Sequence, residues 1–100
     1  MIYLDENILT IKGIAVDLPF SKFSKPKIFI DSKNILVGIT DLNEDKIYLF
    51  KDNGELVKGF PIKGNSLIDI KDSDNDGKIE IISRLDKFSI VSYEVNLTQN

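Results

Sequence analysis

The stretch IYLFKDNGELVKGFPI, residues 47–62, decides the fold class. It opens with the apolar and aromatic run Ile47–Phe50 and turns at Asp52-Asn53-Gly54 before Leu56 and Val57. A burst of β-branched and aromatic residues this short has strand length, and Asn-Gly between two such bursts is a strong hairpin signal. The stretch therefore predicts a strand, a turn and a second strand.

The same alternation of short strands and turns recurs along the chain. Further bursts occupy residues 8–11, 27–30, 35–39, 67–70, 79–82 and 88–93. None of them sustains a helical period over 11 residues, and Gly, Asn and Asp separate them. Many short strands with turns between them predict an all-β protein, such as a sandwich, a barrel or a propeller.

The chain also repeats itself. Ile2-Tyr3-Leu4, Ile47-Tyr48-Leu49 and Ile90–Tyr93 recur at a period in the low-to-middle forties. With about four strands per unit, that period indicates β-propeller-like, four-stranded antiparallel blades. We expect one β-repeat domain over 1–100, with two last strands of one unit in 1–14, a full unit in 27–61 and three strands in 67–95. This is about two blades, an incomplete propeller. The alternative is chance similarity between amphipathic strands.

Composition excludes several classes of site. The chain has no Cys and no His, which excludes disulfides, thiol catalysis, Ser–His–Asp triads and His-bound metals. The net charge of −3 provides no electrostatic reason to expect nucleic acid as a partner. No apolar run approaches the ~20 residues of a membrane-spanning helix. The first residues lack a secretion signal, so we expect either an internal protein or part of a longer one.

The sharpest local feature is the acidic stretch DSDNDGKIE, residues 72–80. Calcium binds six to eight oxygen ligands, mostly from carboxylates and carbonyls. Alternate acidic residues in a tight loop direct their oxygens at one centre, and a glycine permits the sharp turn. The predicted calcium ligands are Asp72, Asp74, Asp76, the main-chain carbonyl of Lys78, and Glu80.

This stretch departs from the helix–loop–helix calcium motif. That motif needs a bidentate Glu at its twelfth position, where this chain has Ser83 followed by strand-like residues. The same ligands between two strands fit a calcium-binding β-hairpin, with a Kd in the weak class of about 10⁻⁴ to 10⁻³ M. A solvated acidic turn is the alternative, since Asp and Asn are common turn residues.

Two segments resemble known propeller repeats. Residues 72–80 look like the calcium hairpin of FG-GAP and VCBS-type repeats, and residues 47–62, with their Gly-Phe-Pro ending, resemble a segment of bacterial PQQ-like propeller proteins. The resemblance spans about half of the chain, Ile47 to Tyr93. It implies a blade that binds calcium at an edge hairpin through the same five ligands, and an extracytoplasmic location. Such repeats often carry Asp where this chain has Glu80. The matching place in the earlier unit, 31–34, lacks the aspartates, so we expect no second site there.

These patterns predict a non-catalytic repeat module that acts as a scaffold or as a binding surface for a protein or a carbohydrate. One alternative is the terminal segment of a propeller enzyme, such as a glycosidase, a lyase or a quinone-dependent dehydrogenase, with its active site in other blades. Another is self-assembly of copies through edge strands. The carboxylate pairs Asp41–Asp45 and Asp72–Asp76 are interpreted as turn residues or calcium ligands, and the basic stretch 21–27 as a solvated loop.

Overall fold

The described part of the chain is all-β. A computed structural model describes residues 2–30, 35–71 and 78–96, which contain ten strands and no helix. The strands are β1 (Ile2–Asp5), β2 (Ile8–Ile11), β3 (Ile14–Asp17), β4 (Lys27–Ile30), β5 (Ile35–Asp41), β6 (Lys46–Lys51), β7 (Ile62–Lys63), β8 (Ser66–Lys71), β9 (Lys78–Arg84) and β10 (Ile90–Asn96). The all-β class predicted from the alternation of strands and turns is confirmed.

Within the described ranges, the strands form three antiparallel sheets, and each is a meander of consecutive strands. The first sheet has the order β1-β2-β3, the middle sheet β4-β5-β6-β7 and the last sheet β8-β9-β10. The β2–β3 connection is the two-residue turn Lys12-Gly13, with φ values of 49° and 84°. A type I′ turn needs positive φ at both positions, and its twist matches that of the strands it joins. Neighbours in sequence are therefore neighbours in each sheet.

The strands differ from the sequence prediction at three places. The second strand predicted around Leu56 and Val57 is only an isolated bridge between Phe50 and Leu56, and the next strand that pairs with β6 is Ile62–Lys63. β3, Ile14–Asp17, was missed because its short IAVD run follows β2 so closely and its side chains are mostly exposed. The first sheet thus has three strands instead of the two expected over 1–14. The last strand begins at Ile90, since Phe88 lies in the preceding turn, where its amide donates a hydrogen bond of 2.8 Å to Asp86 Oδ1.

The middle sheet is covered on both faces. Leu36, Ile47 and Leu49 of this sheet pack with Leu67, Ile79 and Ile81 of the last sheet. Val57 and Phe60 of the β6–β7 connection complete this cluster, which we call the rear core. Val37, Ile39 and Phe50 pack on the other face with Leu9, Ile11 and Leu18, which together we call the front core. Successive side chains of a strand point to opposite faces, so a run such as ILV at 35–37 supplies both cores. Burying one such side chain contributes about 1.5–3 kcal/mol.

Contacts at both ends of the strands hold the sheets together. At one end, the Lys12 ammonium lies 2.9 Å from the Asp52 carboxylate, which joins a turn of the first sheet to a turn of the middle sheet. At the other end, the Gly64 amide donates to the Asp45 carbonyl (2.8 Å) and the Asn65 amide donates to the Arg84 carbonyl (2.8 Å). The short 64–65 connection therefore passes directly from the middle sheet to the last sheet.

Candidate functional site

The predicted calcium loop lies between two strands that pair with each other. Lys71 at the end of β8 is opposite Glu80 of β9, so residues 72–77 connect neighbouring antiparallel strands. The flanking elements are strands and not helices, which is the setting of a hairpin and not of a helix–loop–helix motif. Asp72, Asp74 and Asp76 lie outside the described residues, as does the matching segment 31–34 of the earlier unit.

The remaining two predicted ligands belong to β9. Lys78 is its first residue, and Glu80 is an exposed residue two positions later. Glu80 lies directly opposite Glu94 of β10, which is also exposed. Like charges placed directly opposite on neighbouring strands repel, at a cost of a few tenths of a kcal/mol up to about 1 kcal/mol. Glu94 is thus an acidic neighbour of the predicted site that sequence reasoning missed, because only the register reveals it.

The described residues contain no group of three or more His, Cys, Asp or Glu side chains placed to hold a metal ion. Since the three aspartates of the calcium prediction lie outside those residues, the five-ligand calcium site stays a prediction. The described residues show the two hairpin strands that flank the predicted calcium loop, and they show that Glu80 lies opposite Glu94.

Asp41 is a buried carboxylate that the fold uses to hold a turn. It is 1% exposed, and its Oδ1 accepts hydrogen bonds from the Ser21 hydroxyl and from the amides of Asn43 and Glu44, the latter two at 3.0 Å. Burial by itself raises the pKa of the Asp41 carboxyl. The three hydrogen bonds and the nearby Lys46 charge outweigh that effect and hold the pKa below its ordinary value of 3.8.

The neighbouring Tyr48 side chain responds to the same surroundings. Burial raises the pKa of the Tyr48 hydroxyl, and the negative charges of Asp41 and Glu44 raise it as well. Its ring is stacked on Phe50, with centroids 6.2 Å apart and planes 3° from parallel. Both residues of the predicted Asp41–Asp45 pair take part in the turn, since the Asp45 carbonyl accepts from Gly64. These contacts agree with the interpretation of the pair as turn residues.

The basic stretch 21–27 is partly paired with the sheet. The Ser24 amide donates to the Thr40 carbonyl (2.9 Å), and the Leu42 amide donates to the Lys22 carbonyl (2.7 Å). Pairing with β5 then resumes beyond Pro26, where Lys27 is opposite Gly38. Phe23 forms an isolated bridge with Asp41, so the stretch continues the β4 edge in part, with an interruption at Lys25-Pro26. Lys22 and Lys25 are exposed and lie outside any strand, as the solvated-loop interpretation predicts.

A polar cleft of about 260 Å³ opens beside this extended edge. It lies between the start of β4, the face of β5 that looks toward the last sheet, and the 64–67 segment. Its lining consists of Ser24, Lys25, Pro26, Lys27, Gly38, Thr40, Asn65, Ser66 and Leu67. Sequence reasoning did not find it, although the small residues Gly38 and Thr40 that follow Leu36 at alternate positions were a readable sign of missing bulk on that face.

The polar groups of the cleft are held by specific hydrogen bonds. The Lys27 ammonium donates to the Leu67 carbonyl (2.9 Å), and the Ser24 hydroxyl accepts from the Thr40 amide (3.0 Å). Asn65 Oδ1 is buried and has no hydrogen-bond partner among the described residues. A buried acceptor without a partner costs about 1–3 kcal/mol of stability.

No protein-family model, no curated protein and no solved structure matches this chain. The described part of the chain contains no helix that is long and apolar enough to cross a membrane.

Proposed function

We propose that the chain is a blade-type β-repeat module that acts as a non-catalytic scaffold or binding surface and takes one calcium ion in its β8–β9 hairpin. The observation that carries the proposal is the burial of both faces of the middle sheet by a meander sheet on each side. Neighbouring blades of a propeller cover one another in this way, and stacked repeats depend on such neighbours for their cores.

The connections between the sheets support the proposal. Each sheet is a meander, and the 64–65 segment passes from the last strand of the middle sheet to the first strand of the next. The Lys12 and Asp52 turns lie together at one end of their sheets. Consecutive meander sheets joined by short connections are expected where one unit follows another along the chain.

The calcium part of the proposal rests on the hairpin and its surroundings. The 72–77 segment joins paired strands, and Glu80 faces a second carboxylate at Glu94. A divalent cation bound at the loop would relieve the repulsion between the two. A Kd in the range of 10⁻⁴ to 10⁻³ M suits calcium-rich surroundings outside the cytoplasm.

Thermal unfolding in EDTA and in millimolar calcium tests this part. A ligand at 100 times its Kd stabilises by about 2.7 kcal/mol, which for a domain of this size raises the Tm by roughly 10 °C or more. The rise should disappear in Asp74→Ala, persist in the matched surface variant Asp17→Ala, and not be reproduced by magnesium. A Tm that does not change with up to 10 mM calcium would show that residues 72–80 are an ordinary acidic turn and not a calcium site.

Self-association is a second candidate function, favoured by the exposed strands at the sheet ends. β4 ends the middle sheet and β10 ends the last sheet. Ile28 and Ile30 of β4 are 47% and 74% exposed, and Ile90 of β10 is 62% exposed. Exposed edge strands with apolar side chains are templates for pairing with another chain. Sedimentation across a hundredfold range of concentration tests this, and a monomer mass throughout would rule it out; Ile30→Lys should abolish any association observed.

A further inference from the structure

The polar cleft exists because the side chains on one face of β5 become smaller beyond Leu36. The residues of that face are Leu36, Gly38 and Thr40, and only Leu36 belongs to the rear core. A Cβ added at Gly38 would overlap Leu67 Cδ2, so the glycine allows the Leu67 side chain to pack against β5. Leu67 thereby forms the apolar floor of the cleft. Beyond that floor, polar groups line the opening.

The charged side chains in the described lining of the cleft are basic. Lys25 and Lys27 both line it, and among the described lining residues no side chain is acidic. The Lys27 ammonium is held in place by its bond to the Leu67 carbonyl and lies 6.0 Å from the centre of the Phe29 ring. An ammonium fixed beside a concave surface favours an anion, and hydrogen bonds to a charged group are the stronger ones.

The other polar groups of the lining suit hydroxyl groups. Ser24, Thr40 and Ser66 carry hydroxyls that can donate or accept. A volume of about 260 Å³ lies just under the range of about 300–1,000 Å³ that is usual for sites of drug-sized ligands. It therefore accommodates one small ring or short chain and not an oligomer.

We propose that this cleft binds a small polyhydroxylated anion, namely a sugar acid or a sugar phosphate. Lys25 and Lys27 would bind the anionic group, and the Ser24 and Ser66 hydroxyls would form hydrogen bonds with the ligand hydroxyls. The cleft is at the start of β8, whereas the predicted calcium loop follows the other end of that strand. The proposal is independent of calcium, so the two can fail separately.

The test is an amide NMR titration of the full chain in EDTA-containing buffer, which keeps calcium out. The probes are D-glucuronate and D-glucose 6-phosphate, with D-glucose and inorganic phosphate as the matched partial ligands. We expect either charged sugar to shift the amide signals around Ser24, Gly38 and Leu67, with an affinity at least about tenfold above those of glucose and phosphate. The sugar that binds more tightly identifies which anionic group the cleft prefers.

Variants separate the two kinds of contact. Lys27→Gln keeps a donor for the Leu67 carbonyl but loses the charge, and should weaken binding of the charged sugars by about tenfold. Ser66→Ala should weaken binding of the charged sugars and leave binding of inorganic phosphate unchanged, while Lys58→Gln, at an exposed lysine elsewhere, should change neither. If Lys27→Gln perturbs the fold, Lys25→Gln replaces it.

Three results would overturn the proposal. The first is the absence of shifts at the cleft with either charged sugar up to 50 mM. The second is glucose or phosphate binding as tightly as the charged sugars. The third is equal binding by the wild type and by both lysine variants.

Discussion

Shortening one isoleucine on each face of the middle sheet tests whether both faces are truly core. Ile39 is 1% exposed in the front core and Ile47 is 0% exposed in the rear core, on neighbouring strands of the same sheet. Ile→Val at either position removes one buried methylene, worth about 0.8 kcal/mol of transfer free energy plus a cavity term. The expected loss of stability is therefore about 1 kcal/mol for each variant, within the usual range of about 0.5–1.5 kcal/mol.

Urea unfolding followed by circular dichroism measures these losses. Both variants should lower the urea midpoint with an unchanged m-value, and a loss of 1 kcal/mol should lower the Tm by about 4–8 °C. Ile30→Val is the matched control, since Ile30 is 74% exposed on β4 and its change should stay within about 0.5 kcal/mol. The mild substitution is chosen because a domain of this size has only about 5–15 kcal/mol of stability to lose.

A loss of stability in only one of the two core variants would contradict the burial of both faces. If Ile39→Val behaves like Ile30→Val while Ile47→Val is destabilised, the first sheet does not cover the middle sheet in solution. The reverse result would show that the last sheet does not cover the middle sheet in solution. In either case the blade-type proposal would lose the observation that carries it.

Three further predictions follow from single contacts. Because the folded pKa of Asp41 is lowered, its charged form contributes stability that is complete above the ordinary value of 3.8 and is lost as the pH falls through the folded pKa. Asp41→Asn should therefore be about 1–2 kcal/mol less stable than the wild type at pH 6, with the gap narrowing at pH 3; a constant gap would contradict this. Gly38→Ala should cost about 1–3 kcal/mol by overpacking against Leu67, and Gly38→Ala combined with Leu67→Ala should cost less than the sum of the two single changes in urea unfolding. Asp52→Asn should change stability by less than about 1 kcal/mol, and by even less in 1 M salt, because the side chains of its pair with Lys12 are 50% and 42% exposed; a larger loss in urea unfolding would show a stronger link between the two sheets.

Local sequence predicted the strands where burial is strong and turns are sharp. The 47–62 stretch folds as β6, the Asp52–Gly54 turn and a return segment whose Val57 amide donates to the Leu49 carbonyl (2.8 Å). Apolar residues in strand-length runs with Asn-Gly between them are compatible with few local structures other than a strand followed by a turn. β3 escaped prediction because a short, exposed strand carries little hydrophobic pattern.

The residues of the candidate sites were likewise predictable only where they lie close together in the sequence. The calcium ligands Asp72–Glu80 were predicted from spacing alone, since alternate carboxylates in one loop are a local pattern. Glu94 could not be predicted, because it meets Glu80 only through the register between β9 and β10. The role of Asp41 was equally hidden, since one of its hydrogen bonds comes from Ser21 in a segment 20 residues away.

The sequence by itself determined the all-β class, most of the strands and the acidic hairpin loop, because periodicity and turn chemistry act over a few neighbouring residues. Only the tertiary structure decided that both faces of the middle sheet are covered, that part of the 21–27 stretch continues its edge, and that Lys27, Gly38 and Asn65 surround one polar cleft. These three residues come from separate segments, and they meet only because the middle and last sheets stack where Gly38 leaves room for Leu67. A contact of that kind depends on how the sheets pack, which no local pattern in the chain encodes.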